Sequence, residues 1–90
     1  ALLMSFLPVQ KQMLRENLLR QLEVVRSGLP FDSLRSGADA GAFRSVPNGE
    51  LENALDWLVR REYAVEARSE WSDVIRIWRI TPKGLDFLDR

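Results

Sequence analysis

The sequence predicts a small, mainly helical domain that carries one β-hairpin close to its C-terminal end. Two stretches have the apolar spacing of amphipathic helices, and a later stretch alternates as β-strands do. The run Thr81-Pro82 then has the residue types that begin a helix. With 90 residues, 46% of them hydrophobic and 29% charged, the chain has the composition of a globular domain. We expect one domain over residues 1–90, with an apolar N-terminal arm over residues 1–8.

The first helix is predicted over residues 9–26, between Pro8, which suits a helix start, and Gly28, which supplies a stop. Its apolar residues recur with helical spacing and form one stripe that should face the core. These residues are Leu14, Leu18, Leu22 and Val25. Charged residues such as Arg15 and Glu16 fall off the stripe and are expected to meet water.

A short second helix is predicted over residues 30–38. Asp32 or Ser33 could cap it, because a side-chain oxygen at the N-cap accepts a hydrogen bond from a backbone N–H in the first turn. Phe31 and Leu34 would anchor this helix to the core.

A third helix is predicted to begin at Asn48, which is a good N-cap residue. Before it, Gly37 and Gly41 interrupt the helical pattern, and residues 39–48 are expected to be mostly loop. The third helix has an apolar face that includes Leu51, Leu55 and Leu58. Its opposite face carries Gly49, Asn53, Asp56 and Arg60.

Two strands follow, joined by a polar turn that contains Trp71. In the first strand Tyr63, Val65 and Ala67 share one face by alternation, and residues 73–80 form a second strand rich in β-branched and aromatic residues. A last short helix then begins with Thr81 at the N-cap and Pro82 at the first helical position. Together these elements predict three helices, a two-stranded hairpin and a short closing helix.

The predicted core combines the apolar faces of all these elements. The second strand is apolar on both faces, so either Ile75 or Trp78 belongs to the core. The remaining members are Leu14, Leu18, Leu22, Val25, Leu34, Leu51, Leu55, Leu58, Val65, Ile80, Leu85 and Leu88.

Composition excludes several classes of function. The chain has no Cys and no His, so it can form neither disulfides nor thiolate metal sites, nor a catalytic triad of the usual kind. We therefore expect no enzymatic activity, no metal and no cofactor. Thirteen basic and thirteen acidic side chains give zero formal charge, so attraction to a polyanion requires that the charges segregate on the folded surface.

The N-terminal run Ala1–Val9 is apolar but too short to span a bilayer. No basic segment precedes it, which argues against a signal peptide. We expect a cytoplasmic protein with no membrane association. The apolar arm needs a partner, either the core or a second chain.

The last half of the chain resembles bacterial winged-helix regulators. The run Trp78–Leu88 is similar to the end of the wing in the MarR-like and PadR-like families, which has the pattern Y-x-L-T-x-x-G. Leu51–Val65 is similar to their recognition helix and first wing strand. The resemblance implies a winged helix-turn-helix fold. Two departures stand out: Glu62 occupies a place where the families usually have Gly, and the connection before the third helix is longer and richer in Gly. Their long dimerisation helices are absent, so we expect any homodimer to use other surfaces.

The resemblance also implies a DNA-binding site, because the third helix of a winged helix enters the major groove and the wing touches the backbone or minor groove. Asn53 is then a candidate for adenine, and Arg60 for guanine or phosphate. The candidates for phosphate contacts are Arg44, Arg68, Arg76 and Arg79. Trp71 could contact sugar or base, anchor a protein partner, or fold back onto the wing.

Two functional interpretations follow. The first is binding of double-stranded DNA, as a transcriptional regulator from a bacterium or phage. The alternative is a winged helix that binds a protein partner and no DNA. Zero net charge and the three acids of the third helix, Glu50, Glu52 and Asp56, favour the alternative, since carboxylates repel phosphates.

Overall fold

A computed structural model of the chain describes residues 7–40, 46–69 and 72–89. Two of the candidate site residues, Arg44 and Trp71, lie outside these ranges, as do Gly41 and most of the apolar arm. The described elements are α1 (Pro8–Val24), β1 (Leu29–Pro30), α2 (Phe31–Ala40), α3 (Asn48–Arg60), β2 (Ala64–Ser69), β3 (Ser72–Ile80) and α4 (Pro82–Leu88). The predicted order of three helices, a hairpin and a closing helix is confirmed.

Helix α1 packs one leucine-rich face into the core. Its predicted stripe is confirmed for Leu14, Leu18 and Leu22, which are buried together with Leu19. Val25 lies just beyond the helix end and is only half-buried, so its assignment to the core is wrong. At the start of α1, the backbone N–H of Leu7 donates a hydrogen bond of 2.8 Å to Gln10 Oε1. This bond satisfies one backbone donor that the helix itself leaves free.

A two-residue strand that the sequence did not predict precedes α2. β1 extends the hairpin to a three-stranded antiparallel sheet of order β1-β3-β2, in which Leu29 pairs with Trp78 and Pro30 with Ile77. Proline lacks a backbone N–H, and an edge strand is where a sheet tolerates it. Gly28 makes the turn into this strand with a φ of 112°, which few other residues adopt.

Helix α2 begins at Phe31 and already contains Asp32 in its first turn. The prediction that Asp32 or Ser33 caps the helix is therefore wrong, because both lie inside it. Phe31 and Leu34 contact the core as predicted.

Gly37 does not interrupt α2, which continues to Ala40. It marks instead the place where α1 and α2 approach closely. A Cβ atom at position 37 would collide with the side chain of Gln21 on α1, whose Nε2 donates hydrogen bonds to the Leu34 carbonyl at 3.1 Å and to Asn17 Oδ1 at 2.8 Å. Sequence patterns within α2 cannot predict this role of Gly37, because it depends on the contact with Gln21 of α1.

Helix α3 includes Asn48 as its first residue, and Pro47 occupies the N-cap with extended backbone. The prediction that Asn48 is the N-cap is therefore wrong by one residue. The Asp39 carboxylate accepts a hydrogen bond of 3.0 Å from the backbone N–H of Val46, which links the end of α2 to the start of α3. The buried face of α3 consists of Leu51, Ala54, Leu55 and Leu58.

The face of β2 that packs against the helices is not the one that the sequence predicted. Ala64 and Trp78 are buried, with Trp78 only 2% exposed, whereas Val65 is 42% and Ile75 47% exposed. The core assignment of Val65 is wrong, and Trp78 rather than Ile75 occupies the core. Ala64 of β2 lies directly opposite Ile80 of β3. Their side chains, one small and one large, are therefore on the same face of the sheet, the face that packs against the helices.

Helix α4 is tied to the base of the hairpin by Thr81 and Gly84. The Thr81 hydroxyl accepts a hydrogen bond of 3.0 Å from Gly84 N–H and donates one of 2.6 Å to the Glu62 carbonyl, which confirms the predicted N-cap. A Cβ at position 84 would collide with the carbonyl oxygen of Tyr63. Leu88 is buried as predicted. The Thr-x-x-Gly motif therefore has a packing role.

Glu62 links α3 to the hairpin in a left-handed conformation, with a φ of 65°. The related families usually have glycine at this place, and glycine adopts positive φ without a steric penalty. The chain thus keeps the backbone geometry of the junction with a residue that is less suited to it.

Candidate nucleic-acid interface

The exposed side of α3 forms a polar ridge, which we define as Gly49, Asn53, Asp56 and Arg60. All four are exposed, as the helical spacing predicted. The opposite face of α3 packs through buried leucines against α1 and the sheet, so the helix backbone that carries the ridge is held in place. Asn53 and Arg60 are side chains that bind base edges through paired hydrogen bonds. Asp56 places a negative charge between them.

The wing, formed by β2 and β3, carries its three arginines on two different faces. Arg68 lies opposite Arg76 across the strands, on the sheet face that also bears Trp78. Arg79 pairs with Val65 on the other face. The structure therefore brings Arg68 and Arg76 to the side of the sheet that faces α3 and separates Arg79 from them.

Arg76 is held by carboxylates of the same molecule. Its Nε and one terminal nitrogen donate hydrogen bonds of 2.8 and 3.0 Å to the two carboxylate oxygens of Glu66, and its other terminal nitrogen lies 3.7 Å from Glu52 Oε1. Its guanidinium lies 4.9 Å from the centre of the Trp78 ring. The hydrogen bond from Arg76 lowers the pKa of the Glu66 carboxyl below its usual value, with Arg68 adding to the effect. Much of the positive charge of Arg76 is thus compensated within the molecule.

The side of α3 that faces α1 carries a different set of charges. Lys11 and Arg15 of α1 lie beside Asn53 and Glu50 of α3 and share a small cleft with them. Arg15 is half-buried rather than solvated as predicted, and its guanidinium lies 4.3 Å from the centre of the Trp57 ring. The sequence analysis missed Lys11 and Arg15 because their position depends on how α1 and α3 pack. Their i, i+4 spacing was the available signal.

Trp57 lies between two guanidinium groups. Arg15 contacts its ring as described, and the guanidinium of Arg61 lies 4.9 Å from the ring centre. The ring also packs at 5.9 Å from that of Tyr63, which stacks at 4.6 Å on Phe87 of α4. This aromatic row connects α3 to α4 and orients the arginines by cation–π contacts.

Within the ranges 7–40, 46–69 and 72–89, no helix is long and apolar enough to cross a membrane.

Several solved structures superpose well on this chain, among them the PcaV transcriptional regulator. ZitR of Lactococcus lactis superposes with a TM-score of 0.72 at 14% identity, over 88% of this chain and 54% of that one. MepR of S. aureus, solved bound to an oligodeoxyribonucleotide, gives 0.71 at 13% identity over 84% and 51%. PcaV of Streptomyces coelicolor, in complex with its natural ligand, gives 0.69 at 18% identity over 84% and 49%.

These likenesses establish the fold alone: the chain has the same winged-helix fold as these three structures, with four helices and a small three-stranded sheet. The chain spans about half the length of ZitR, MepR and PcaV. No protein-family model matches the chain, and no curated protein matches its sequence.

Proposed function

Because the chain has the fold of MarR-like regulators, we propose that it binds double-stranded DNA as a bacterial or phage transcriptional regulator in the cytoplasm. The single observation that carries the proposal is the exposed ridge of α3, which presents base-reading side chains from a rigidly packed helix beside a hairpin. A helix of this kind fits the major groove of B-DNA, with the wing against the neighbouring backbone. MepR, which has a similar fold, was solved bound to an oligodeoxyribonucleotide, and this supports DNA as the partner.

The proposed roles follow from the placement of each residue. Asn53 binds adenine, and Arg60 at the last turn of α3 binds guanine or phosphate. Arg68 contacts phosphate from the face of the wing that also bears Arg76, and Arg79 contacts it from the other face. Arg76 contributes less to affinity, because it must leave Glu66 to bind a phosphate. Arg44 and Trp71 remain candidates for phosphate and for sugar or base.

The test is binding of the purified domain to a pool of random duplexes, measured by fluorescence anisotropy at about 50 and about 200 mM salt. We expect affinity to fall steeply with salt, and Asn53→Ala and Arg60→Ala to weaken binding about 10-fold each. Arg20→Ala is the matched control, since this exposed arginine of α1 forms an ion pair with Glu16 on the same helix, away from the ridge. Equal losses in all three variants, or no binding at the lower salt, would contradict the proposal.

A second candidate function, binding of a protein partner, is supported by a groove between α2, α3 and β3. The groove has a volume of about 210 Å³ and is lined by Pro30, Phe31, Asp32, Glu52, Ile75, Arg76 and Trp78. Of the apolar lining residues, Ile75 is exposed and Phe31 is half-buried, and the carboxylates of Asp32 and Glu52 flank them. Apolar surface flanked by carboxylates is typical of a site for an apolar segment with basic residues. Absence of DNA binding in the test above would make this the preferred function.

A further inference from the structure

A small cleft between α1 and α3 opens beside the ridge, on the side away from the wing. Its volume is about 50 Å³, which accommodates a few atoms of the size of a water oxygen but not a ring-sized ligand. Its lining residues are Lys11, Leu14, Arg15, Glu50, Asn53 and Ala54. The cleft therefore combines two cationic side chains, one amide and one carboxylate above an apolar floor.

Arg15, which lines this cleft, has a buried side-chain donor without a partner among the described residues. Its Nε is buried and has no hydrogen-bond partner among the described residues, while its guanidinium plane is occupied by Trp57 at 4.3 Å. A buried N–H without an acceptor costs free energy, so movement of the Arg15 side chain toward an acceptor in the cleft is favoured. A charged guanidinium favours an anionic acceptor above all, and phosphate oxygens match its planar donors.

The charges around α3 are segregated between its two sides. On the α1 side, the lining of the cleft includes Lys11 and Arg15 and one carboxylate, Glu50, and Arg61 lies over the neighbouring Trp57 ring. The wing side has the carboxylates of Glu52, Asp56 and Glu66 acting on Arg76. An anion is therefore attracted to the α1 side of the ridge more strongly than to the wing side.

We infer that this cleft binds a backbone phosphate of the DNA, with Lys11 and Arg15 as its ligands. The inference rests on the proposed function. Asn53 lines the cleft and belongs to the ridge as well, so a phosphate held there fixes the position from which Asn53 reaches a base edge. The main phosphate contact then lies on the α1 side of α3 and not on the wing.

Glu50 limits this site, because its carboxylate repels the phosphate. Glu50→Gln removes that repulsion and retains the size of the side chain. It is expected to raise the affinity for DNA severalfold, whereas Asp86→Asn, a matched loss of one carboxylate on exposed α4, leaves the affinity unchanged.

The decisive experiment measures the slope of log affinity against log salt for a fixed duplex selected from the random pool. The double variant Lys11→Gln/Arg15→Gln is expected to lower the magnitude of the slope by about one and the affinity at about 50 mM salt by about 10-fold. Arg20→Gln removes a charge from the same helix, about 140° around its axis from Arg15, and should leave the slope unchanged. Lys11→Gln alone should give part of the effect, and because Lys11 is exposed this variant preserves the fold.

A double variant that binds with the wild-type slope, while Asn53→Ala and Arg60→Ala weaken binding, would overturn the cleft assignment and leave DNA binding in place. Absence of DNA binding by the wild-type protein would overturn both. Binding of inorganic phosphate that depends on Lys11 and Arg15, without any duplex binding, would show that the cleft takes a free anion and would likewise overturn the assignment to DNA.

Discussion

Two glycines that lie in helices allow the packing of this fold to be tested. The same substitution, glycine to alanine, is expected to lower the free energy of unfolding at one position and to raise it at the other. In Gly84→Ala, the new Cβ would collide with the Tyr63 carbonyl oxygen and lie 2.8 Å from Cγ1 of Ile80. In Gly49→Ala, the new Cβ meets no atom within 4 Å. Both positions lie in helices, so the intrinsic gain of alanine over glycine, at most about 1 kcal/mol, favours both substitutions.

The magnitudes follow from what must move. Overpacking a core by one methyl group costs about 1–3 kcal/mol, and the upper end applies at Gly84 because a backbone oxygen yields less than a side chain. The Tyr63 carbonyl is also fixed by a hydrogen bond of 3.1 Å from Thr81 N–H. Subtracting the helical gain leaves a net loss of about 2 kcal/mol for Gly84→Ala. Gly49→Ala should instead raise the free energy of unfolding by about 0.5 kcal/mol, since it lies in the first turn.

Urea denaturation followed by circular dichroism measures both free energies of unfolding. Unchanged or increased stability of Gly84→Ala would refute the close approach of α4 to the base of the hairpin. Loss of stability in Gly49→Ala would refute the assignment of position 49 to the open, exposed side of α3.

Two further substitutions test single features of the hairpin. Glu62→Gly should raise the free energy of unfolding, measured by urea denaturation, by about 0.5–1 kcal/mol, because glycine adopts the φ of 65° without strain. Glu62→Gln is the control for loss of the carboxylate. Lower stability of the glycine variant would contradict this account. Glu66→Gln should be less stable than the wild type near about pH 7, because the lowered pKa of Glu66 stabilises the fold above the pKa of the unfolded state. The difference should vanish as the pH falls through the lowered pKa of Glu66 in the folded state. Thermal melts measured at decreasing pH would show a constant difference between the two proteins if the Arg76 pair contributed nothing.

Most of the fold follows from local patterns in the sequence. The leucines of α1 and α3 recur every three or four residues, so the helices and their buried faces are set by spacing alone. Thr81 and Pro82 mark the start of α4 because each satisfies a local need of a helix N-terminus. Such elements could be predicted because the responsible residues are neighbours in the chain.

The features that the sequence analysis missed depend on partners far along the chain. β1 has only two residues, and it exists because Leu29 and Pro30 lie beside Trp78 and Ile77. The inward face of β2 is set by the backbone turn at Glu62, which places Ala64 rather than Val65 against the helices. Alternation shows that a strand has two faces and does not show which one is covered.

The same distinction applies to the proposed site. The ridge of α3 could be read from helical spacing, since its members lie on one helix. The cleft at Lys11 and Arg15 could not, because it requires that α1 and α3 pack along a particular line.

The zero formal charge of the chain therefore has less bearing on DNA binding than the sequence alone indicates. Electrostatic attraction at the surface acts over about a Debye length, roughly 8–10 Å at ordinary salt, so the local arrangement of charges matters more than their sum. Carboxylates on the wing side compensate Arg76, whereas the cleft on the α1 side is lined by Lys11 and Arg15 and by one acid, Glu50. A DNA strand would accordingly be held more strongly on the α1 side of the ridge than on the wing side. This asymmetry makes the salt slope of the Lys11 and Arg15 variants more informative than any variant of the wing.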